Sequence, residues 1–213
     1  AYASAIGGIE LDNNNFSLAE RDNNPFAMPD AKAAQKIKEY ADRKLEECNS
    51  MGGIIECVVG NMPAGIGDPV FDKLDANLSK AVMSIGAVKG VEIGDGFKAA
   101  QSTGLDNNDA FRMQDGRVVK KTNHSGGILG GISDGSDIIL RAAIKPTPSI
   151  ASVQQTVNKQ GEEIDISIHG RHDPMIVPRA VVVVEAMTAI TLVDMLFTGM
   201  TSRLDRIADF YKR

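Results

Sequence analysis

The sequence has only two cysteines, Cys48 and Cys57, and they form neither a CxxC pair nor a zinc-ligand spacing. Two isolated thiols exclude a disulfide scaffold, point to a reducing compartment and read as core side chains, so the expected location is the cytoplasm. Positive charge is short as well, with 23 lysines and arginines against 28 aspartates and glutamates and a net charge of −5. That balance offers no broad footprint for nucleic acid or an anionic membrane, and any anion site must be a local cluster. Residues 1–9 lack a basic stretch followed by an apolar run, so no signal peptide is expected. The longest apolar stretch, residues 176–197, is interrupted by Arg179, Glu185 and Asp194, each costly at a bilayer centre. It is expected to be a buried helix or a strand followed by a helix. No internal repeat or low-complexity linker divides the chain, and a single domain over residues 1–213 is the simplest organisation.

What is present is an alternation of helical and strand patterns punctuated by glycine. Asp30 is placed to cap a helix whose apolar residues Ala34, Ile37, Ala41, Leu45 and Cys48 recur every three or four positions, with Gly52 as the stop. Residues 53–60 predict a short strand and residues 61–69 a proline- and glycine-rich loop. Val70, Leu74, Leu78, Ala81, Val82 and Ile85 line one face of a second helix, and residues 88–93 resume as a strand. Asp115-Gly116 suits a two-residue hairpin turn, since both positions tolerate positive φ. Residues 138–144 and 164–168 predict strands, the second alternating Ile164, Ile166 and Ile168 against Asp165 and Ser167, with one wet face. Residues 180–197 mix β-branched residues with a helical tail, and residues 203–211 suit an amphipathic helix.

Chemistry concentrates in four stretches. TNHSGGILGGISDG, from Thr122 to Gly135, carries paired glycines that would let backbone N–H groups approach a flat or anionic ligand, or that serve tight backbone packing. It lacks the lysine of a Walker loop and misses GxGxxG spacing. KPTPSI puts Lys145, Thr147 and Ser149 on a backbone stiffened by Pro146 and Pro148, a phosphate-compatible set or an edge loop leaving a strand. GRHDP sets Arg171, His172 and Asp173 in consecutive positions before a proline, so that Arg171 and Asp173 face one side of an extended segment, or form a salt-bridged turn. Arg179 and Glu185, in the stretch that follows, suit an ion pair in an apolar setting. Taken as residues alone, these imply an anion-binding pocket of unspecified purpose.

Read together and in order, TNHSGGILGGISDG, RAAIKPTPSI and GRHDPMIVPRAVVVVEAM resemble the late signatures of the chorismate synthase family, and GDPVFDKLDANLSKAVMSIGAVKGVEIGDGF resembles its middle segment. The resemblance runs from about Ala1 to about Leu196. The family's opening Gly-Glu-Ser-His-Gly type motif, its Arg-Ser-Ser-x-Arg segment and its paired acid histidines do not occur in this sequence. His124, His169 and His172 match other positions. The chain begins with Ala1, and it is expected to be the carboxyl-terminal portion of a longer protein.

The resemblance implies an α+β fold, a β-α-β sandwich with helices between antiparallel sheets, assembling as a homotetramer with reduced FMN. It implies a lyase of the shikimate pathway that makes chorismate by 1,4-anti elimination of phosphate from 5-enolpyruvylshikimate 3-phosphate, with no net redox change. By motif, Lys145, Pro146, Thr147, Pro148 and Ser149 would hold FMN, Gly130 would let backbone approach it, the loop around Gly86 and Ala87 would close on it from the same or a neighbouring subunit, and Asn123 would shape the pocket. Arg171 would bridge flavin and substrate, and Asp173 would assist deprotonation, either directly or by tuning the flavin as base. Arg179 and Glu185 remain structural. The alternative is an FMN-binding and oligomerisation module without turnover of its own, and no metal is implied.

Overall fold

The computed structural model describes residues 1–170 and 173–212. In chain order the elements are β1 (Tyr2–Ile6), β2 (Ile9–Glu10), α1 (Ala31–Glu46), β3 (Gly53–Val59), α2 (Leu74–Met83), β4 (Val88–Ile93), β5 (Phe111–Gln114), β6 (Arg117–Lys120), β7 (Ile128–Leu129), β8 (Ile132–Ser133), β9 (Ile138–Ile144), β10 (Gln154–Val157), β11 (Glu163–Ile166), α3 (Val177–Met200) and α4 (Leu204–Tyr211). The chain divides into two compact units, one of Tyr2–Ile55 and Ala143–Val182 and one of Ala1, Glu56–Ala142 and Val183–Arg213.

In the first unit, β2, β1 and the start of β3 are neighbours in that order, and β1 pairs antiparallel with β2 through Ile6 and Ile9. Helix α1 starts because Asp30 caps it: its Oδ1 accepts from the N–H groups of Lys32 at 2.9 Å and Ala33 at 3.2 Å, and its Oδ2 from Asp12 N–H at 3.0 Å. Those bonds satisfy two of the orphan donors of the first turn, so the buried carboxylate is not left unpaired. Burial alone would raise the Asp30 pKa, but the bonds outweigh it and the net direction is down. The buried face is Ala33, Ala34, Ile37 and Ala41. Leu45 and Cys48, expected on that face, are exposed, because the helix ends at Glu46 and the backbone turns at Cys48 with φ +52. The chain therefore stops its helix before Gly52, with a non-glycine residue in the left-handed region.

In the second unit, the end of β3, β9 and β4 lie side by side. Helix α2 buries Leu74, Leu78 and Val82, spaced at four, and each fully buried side chain of this kind contributes about 1.5–3 kcal/mol. Val70, expected on this face, is exposed in the turn before the helix. Strands β5 and β6 form the expected hairpin around Asp115 (φ +49) and Gly116 (φ +75), with Gln114 opposite Arg117. Cys57 is buried on β3, where desolvation pushes its thiol pKa up.

One expectation fails for a physical reason, and one open alternative is decided. Ile164 and Ile166 were expected to have a buried face, but both are exposed, because β11 pairs only with β10 in a two-stranded ribbon. The β-branched run at residues 180–197 is helix throughout α3, with Val177, Val181, Val184, Thr188, Leu192 and Met195 buried at spacings of three and four. Burial along one stripe overrides the weak strand preference of valine and isoleucine. Thr191 and Thr198 donate back to the carbonyls of Met187 and Asp194, so their hydroxyls are satisfied within the helix. Val182, Ile190, Val193 and Phe197 of the same helix are exposed. By length and composition α3 is also able to cross a membrane, with Arg179, Glu185 and Asp194 inside it.

Candidate ligand-binding loops

The second unit holds the glycine-rich stretch. Its strands β7 and β8 pair Ile128 with Ser133 and Leu129 with Ile132, so Gly130 (φ +60) and Gly131 (φ +86) are the two central residues of a tight hairpin. Packing sorts the glycines into two kinds. A Cβ on Gly127 would meet the Asp137 carbonyl oxygen at 2.5 Å, and one on Gly126 the backbone of Gly94 at 2.4 Å. One on Gly130 would meet nothing within 4 Å. Close packing thus accounts for Gly126 and Gly127, whereas Gly130 presents open backbone. Gly86 is likewise unobstructed, and Ala87 beside it has φ +71.

Beneath this loop lies a buried charge cluster. Lys120, the last residue of β6, has a side chain 3% exposed, and its Nζ donates to Asp134 Oδ2 at 2.7 Å, Asn123 Oδ1 at 2.9 Å and Ser125 Oγ at 2.9 Å. Asp109 Oδ2 lies 3.3 Å from the same nitrogen. Asp109 in turn accepts from Thr122 Oγ1 at 2.7 Å, His124 N–H at 2.8 Å, Ser125 N–H at 3.0 Å and Ser125 Oγ at 2.7 Å. Burial works to raise the Asp109 pKa, but the bonds from Ser125, Thr122 and His124 outweigh it and hold the carboxyl far below the usual range. Asp134 is shifted the same way: burial raises it, and Lys120 and Ser136 bring it down further.

Asn123 belongs to this cluster. Its Oδ1 accepts from both Lys120 and Gly127 N–H, the latter at 2.8 Å, and its Nδ2 donates to the Asp137 carbonyl at 2.8 Å. His124 Nδ1 is 2.7 Å from Asp95 Oδ2. An open cavity of about 820 Å³ is lined by Phe111, Val118, Lys121, Asn123, Ser136 and Asp137, among others.

The first unit holds residues 145–149 and Asp173. The loop backbone is anchored through its carbonyls: Ser50 Oγ donates to Thr147 O at 2.6 Å, and Gln154 Nε2 to Pro148 O at 3.0 Å. Its polar side chains are left over. Lys145 is exposed, and among the described residues it has no ion-pair partner. Thr147 Oγ1 is buried and has no hydrogen-bond partner among the described residues. A buried hydroxyl without a partner is costly, and the exposed Lys145 ammonium of the same loop suits a phosphate oxygen. Pro146 and Pro148 hold this arrangement stiff.

Asp173 pairs with the Arg179 guanidinium, both partly exposed, at the rim of an open cavity of about 780 Å³ that also includes Lys38, Asp42 and Met175. Met51 N–H donates to Pro174 O at 2.8 Å and fixes the chain next to Asp173. Arg171 and His172 lie outside the described residues. Sequence reasoning left Arg179 as a structural residue, to be paired with Glu185. Its partner is Asp173, and Glu185 meets the Ala1 amine at 2.6 Å. Lys120, Asp109 and Asp134 were missed altogether. The available signal was a charge at each end of the glycine-rich stretch, Lys120 before it and Asp134 within its final turn.

A family model described as chorismate synthase matches residues 1–197. The chain is 66% identical to the chorismate synthase of Lachnospira eligens over 213 residues, covering all of this chain and 58% of that protein. It is 64% identical to that of Agathobacter rectalis, again over 100% of this chain and 58% of the relative. With the chorismate synthase of Archaeoglobus fulgidus it shares 52% identity over 95% of this chain and 57% of that protein. A crystal structure of chorismate synthase matches with a TM-score of 0.75 at 28% identity, covering 99% of this chain and 60% of that one. The chain spans just under three fifths of the length of these curated relatives. The α+β fold is the one that structure has, and with a family model matched over residues 1–197 the chain belongs to the chorismate synthase family.

Proposed function

We propose that the chain is the carboxyl-terminal portion of an enzyme of the shikimate pathway that makes chorismate from 5-enolpyruvylshikimate 3-phosphate by 1,4-anti elimination of phosphate. The cofactor is reduced FMN, there is no net redox change, and the whole enzyme is a cytoplasmic homotetramer. The observation that carries the reading is the loop of residues 145–149 in a member of this family. Its polar groups fit a flavin phosphate and ribityl chain, with an open ammonium at Lys145 and a buried, unbonded hydroxyl at Thr147.

In this reading Lys145 neutralises the FMN phosphate, which a chain of net charge −5 cannot do without a local cation. Thr147 and Ser149 donate their hydroxyls, and Pro146 and Pro148 hold them in place. In the second unit, taken by itself, Gly130 and Gly86 present unobstructed backbone, and Asn123 shapes the glycine-rich loop. When bound, reduced FMN supplies electron density to the ring as the C–O bond to phosphate breaks. Asp173 takes the ring proton as the C–H bond breaks and the new double bond forms. Arg179 pairs with the Asp173 carboxylate and holds it in place. For Arg171, outside the described residues, the family resemblance implies a role between substrate and flavin. Exposed Val182, Ile190, Val193 and Phe197 on α3 are compatible with assembly into a larger protein.

The phosphate leaving group needs cations and an acid that this sequence lacks, since the family's arginines and acid histidines lie in motifs not found here. Each 1.36 kcal/mol of transition-state stabilisation lost is about a tenfold loss of rate. Turnover by residues 1–213 with anaerobically reduced FMN and substrate should therefore be undetectable, and should recover when the family's amino-terminal segment is supplied. FMN titration by fluorescence runs in parallel. Chorismate made by the chain alone at a rate near a full-length control overturns the division of the site, and absence of FMN binding in the complemented protein overturns the cofactor assignment.

A further inference from the structure

The glycine-rich loop is closed by one buried ammonium. Lys120 stands immediately before the loop and Asp134 near its end, and their 2.7 Å bridge joins two points 14 residues apart in the sequence. Lys120 has three N–H donors and meets four acceptors, on Asp134, Asn123, Ser125 and Asp109. Three come from the loop itself. Asp109 precedes β5 at the open end of the β5–β6 hairpin, where Phe111 pairs with Lys120, and grips the same loop through the N–H groups of His124 and Ser125.

The consequence falls on backbone shape. Asn123 Oδ1 is held by Lys120 on one lone pair and accepts Gly127 N–H on the other, so the ammonium acts through Asn123 on the paired glycines. With Oδ1 doubly used and Nδ2 bonded to Asp137 O, Asn123 has little capacity left for a ligand. Its position is that of a strut. The open backbone at Gly130 is then presented in one shape only while the bridge at the loop's base is intact. Glycine loses more conformational freedom on ordering than any other residue, and a stretch with Gly126, Gly127, Gly130 and Gly131 would otherwise be loose.

We propose that Lys120 is a positioning residue, an internal cation that closes the loop of residues 122–134 and sets, through Asn123, the backbone that a ligand meets at Gly130. The ligand's identity as FMN rests on the function proposed above; the positioning role does not. None of the sequence motifs marks Lys120.

The test separates local from global effects. In Asp134→Asn and Lys120→Met, amide hydrogen exchange should speed up at least tenfold at residues 125–131, while β3 and β9 amides slow to the same plateau as in the unmodified chain. Lys120→Arg, which keeps the charge, should restore most of the protection. FMN titration of the same variants should show affinity falling at least tenfold for Lys120→Met at an unchanged β3 and β9 signal. Unchanged exchange at residues 125–131 in Asp134→Asn overturns the proposal, as does exchange that rises equally in β3 and β9. If Lys120→Met fails to fold, Asp134→Asn and Lys120→Arg decide it. An unmodified chain that binds no FMN while the exchange pattern holds counts against the cofactor reading and leaves the strut in place.

Discussion

The loops at residues 122–135 and 145–150 are opposite solutions to the same task. In the first, Asn123, Ser125 and Asp134 are already bonded inside the protein, to their partners Lys120 and Asp109 outside the loop. In the second, the backbone carbonyls are anchored while the side chains of Lys145 and Thr147 are left unbonded. The difference teaches what each can contribute. A loop whose hydrogen bonds are spent internally offers shape and open backbone, whereas a loop with unspent donors offers ligand bonds. Only the second gains hydrogen bonds when a ligand arrives, and only the first can hold a preset surface without one.

The largest effect that tests this contrast lies within the first loop. An alanine at residue 127 must adopt φ near +80 and place its Cβ 2.5 Å from the Asp137 carbonyl oxygen. Left-handed backbone costs roughly 1–2 kcal/mol for a residue with a Cβ, and overpacking a further roughly 1–3. Gly127→Ala should therefore lose about 2–5 kcal/mol in denaturant unfolding. Gly130→Ala meets nothing within 4 Å and should lose only about 1–2 kcal/mol, the backbone term alone. Its FMN affinity should suffer more than its stability. Equal stability losses at the two positions would end the division into packed and open glycines.

A second effect is smaller and reads the same contrast through pH. Asp109 and Asp134 both have folded pKa values below those of the unfolded chain. The unfolded carboxyls, near 3.9, take up protons first as pH falls, so the native state loses stability through and below that range. Their contribution is fully present at neutral pH and down to about pH 5, and it is lost progressively below about pH 4. Residues 145–150 contain no carboxylate. Acid should therefore loosen the glycine-rich loop, with exchange at residues 125–131 rising before that at residues 146–150 between pH 5 and pH 3. Asp134→Asn should flatten the acid slope of unfolding free energy. A slope identical to that of the unmodified chain would show that these carboxylates are not the groups concerned.

How much of this was legible in the sequence follows from the range of the interactions. Asp30 as a cap, Asp115-Gly116 as a turn and the Leu74, Leu78, Val82 face were readable because each depends on neighbours within a few residues. Leu45 was misplaced because the helix end depends on a left-handed Cys48, which no pattern marks. For the valine run of α3 local propensity leaves a buried helix and a strand followed by a helix both open, and only the burial of Val184, Thr188, Leu192 and Met195 on one stripe decides for the helix. Ile164 and Ile166 alternate as a half-buried strand does, yet β11 has only β10 for a partner and no layer to cover it. Of the candidate ligand groups, the motifs carried Lys145, Thr147, Gly130 and Asp173. They did not carry Lys120 or Asp109, whose meeting at 3.3 Å depends on a hairpin folding back, nor the pairing of Asp173 with Arg179.

The smallest effect is also the sharpest, because it reverses the usual sign of a core substitution. Thr147 Oγ1 is buried and unbonded, so the folded chain bears a desolvation cost with no hydrogen bond in return. Replacing both the hydroxyl and its cost with a methyl group of similar shape is neutral or stabilising in such a place. Thr147→Val should therefore leave the unfolding free energy unchanged or raise it by up to about 1 kcal/mol. The same variant should bind FMN more weakly by roughly 0.5–1.5 kcal/mol, the worth of one neutral hydrogen bond, which is about a two- to tenfold rise in Kd. Lys145→Ala provides the companion measurement: an exposed side chain whose loss should change stability by less than about 0.5 kcal/mol but FMN affinity by roughly 1–3 kcal/mol, since its bond is charge-assisted. Stability and affinity thus move apart in both variants, in opposite directions for Thr147→Val. A Thr147→Val chain destabilised by more than about 1 kcal/mol would mean that the hydroxyl already has a partner in the protein. The loop of residues 145–150 would then be as internally satisfied as the glycine-rich one, and the contrast between shape and unspent donors would be lost.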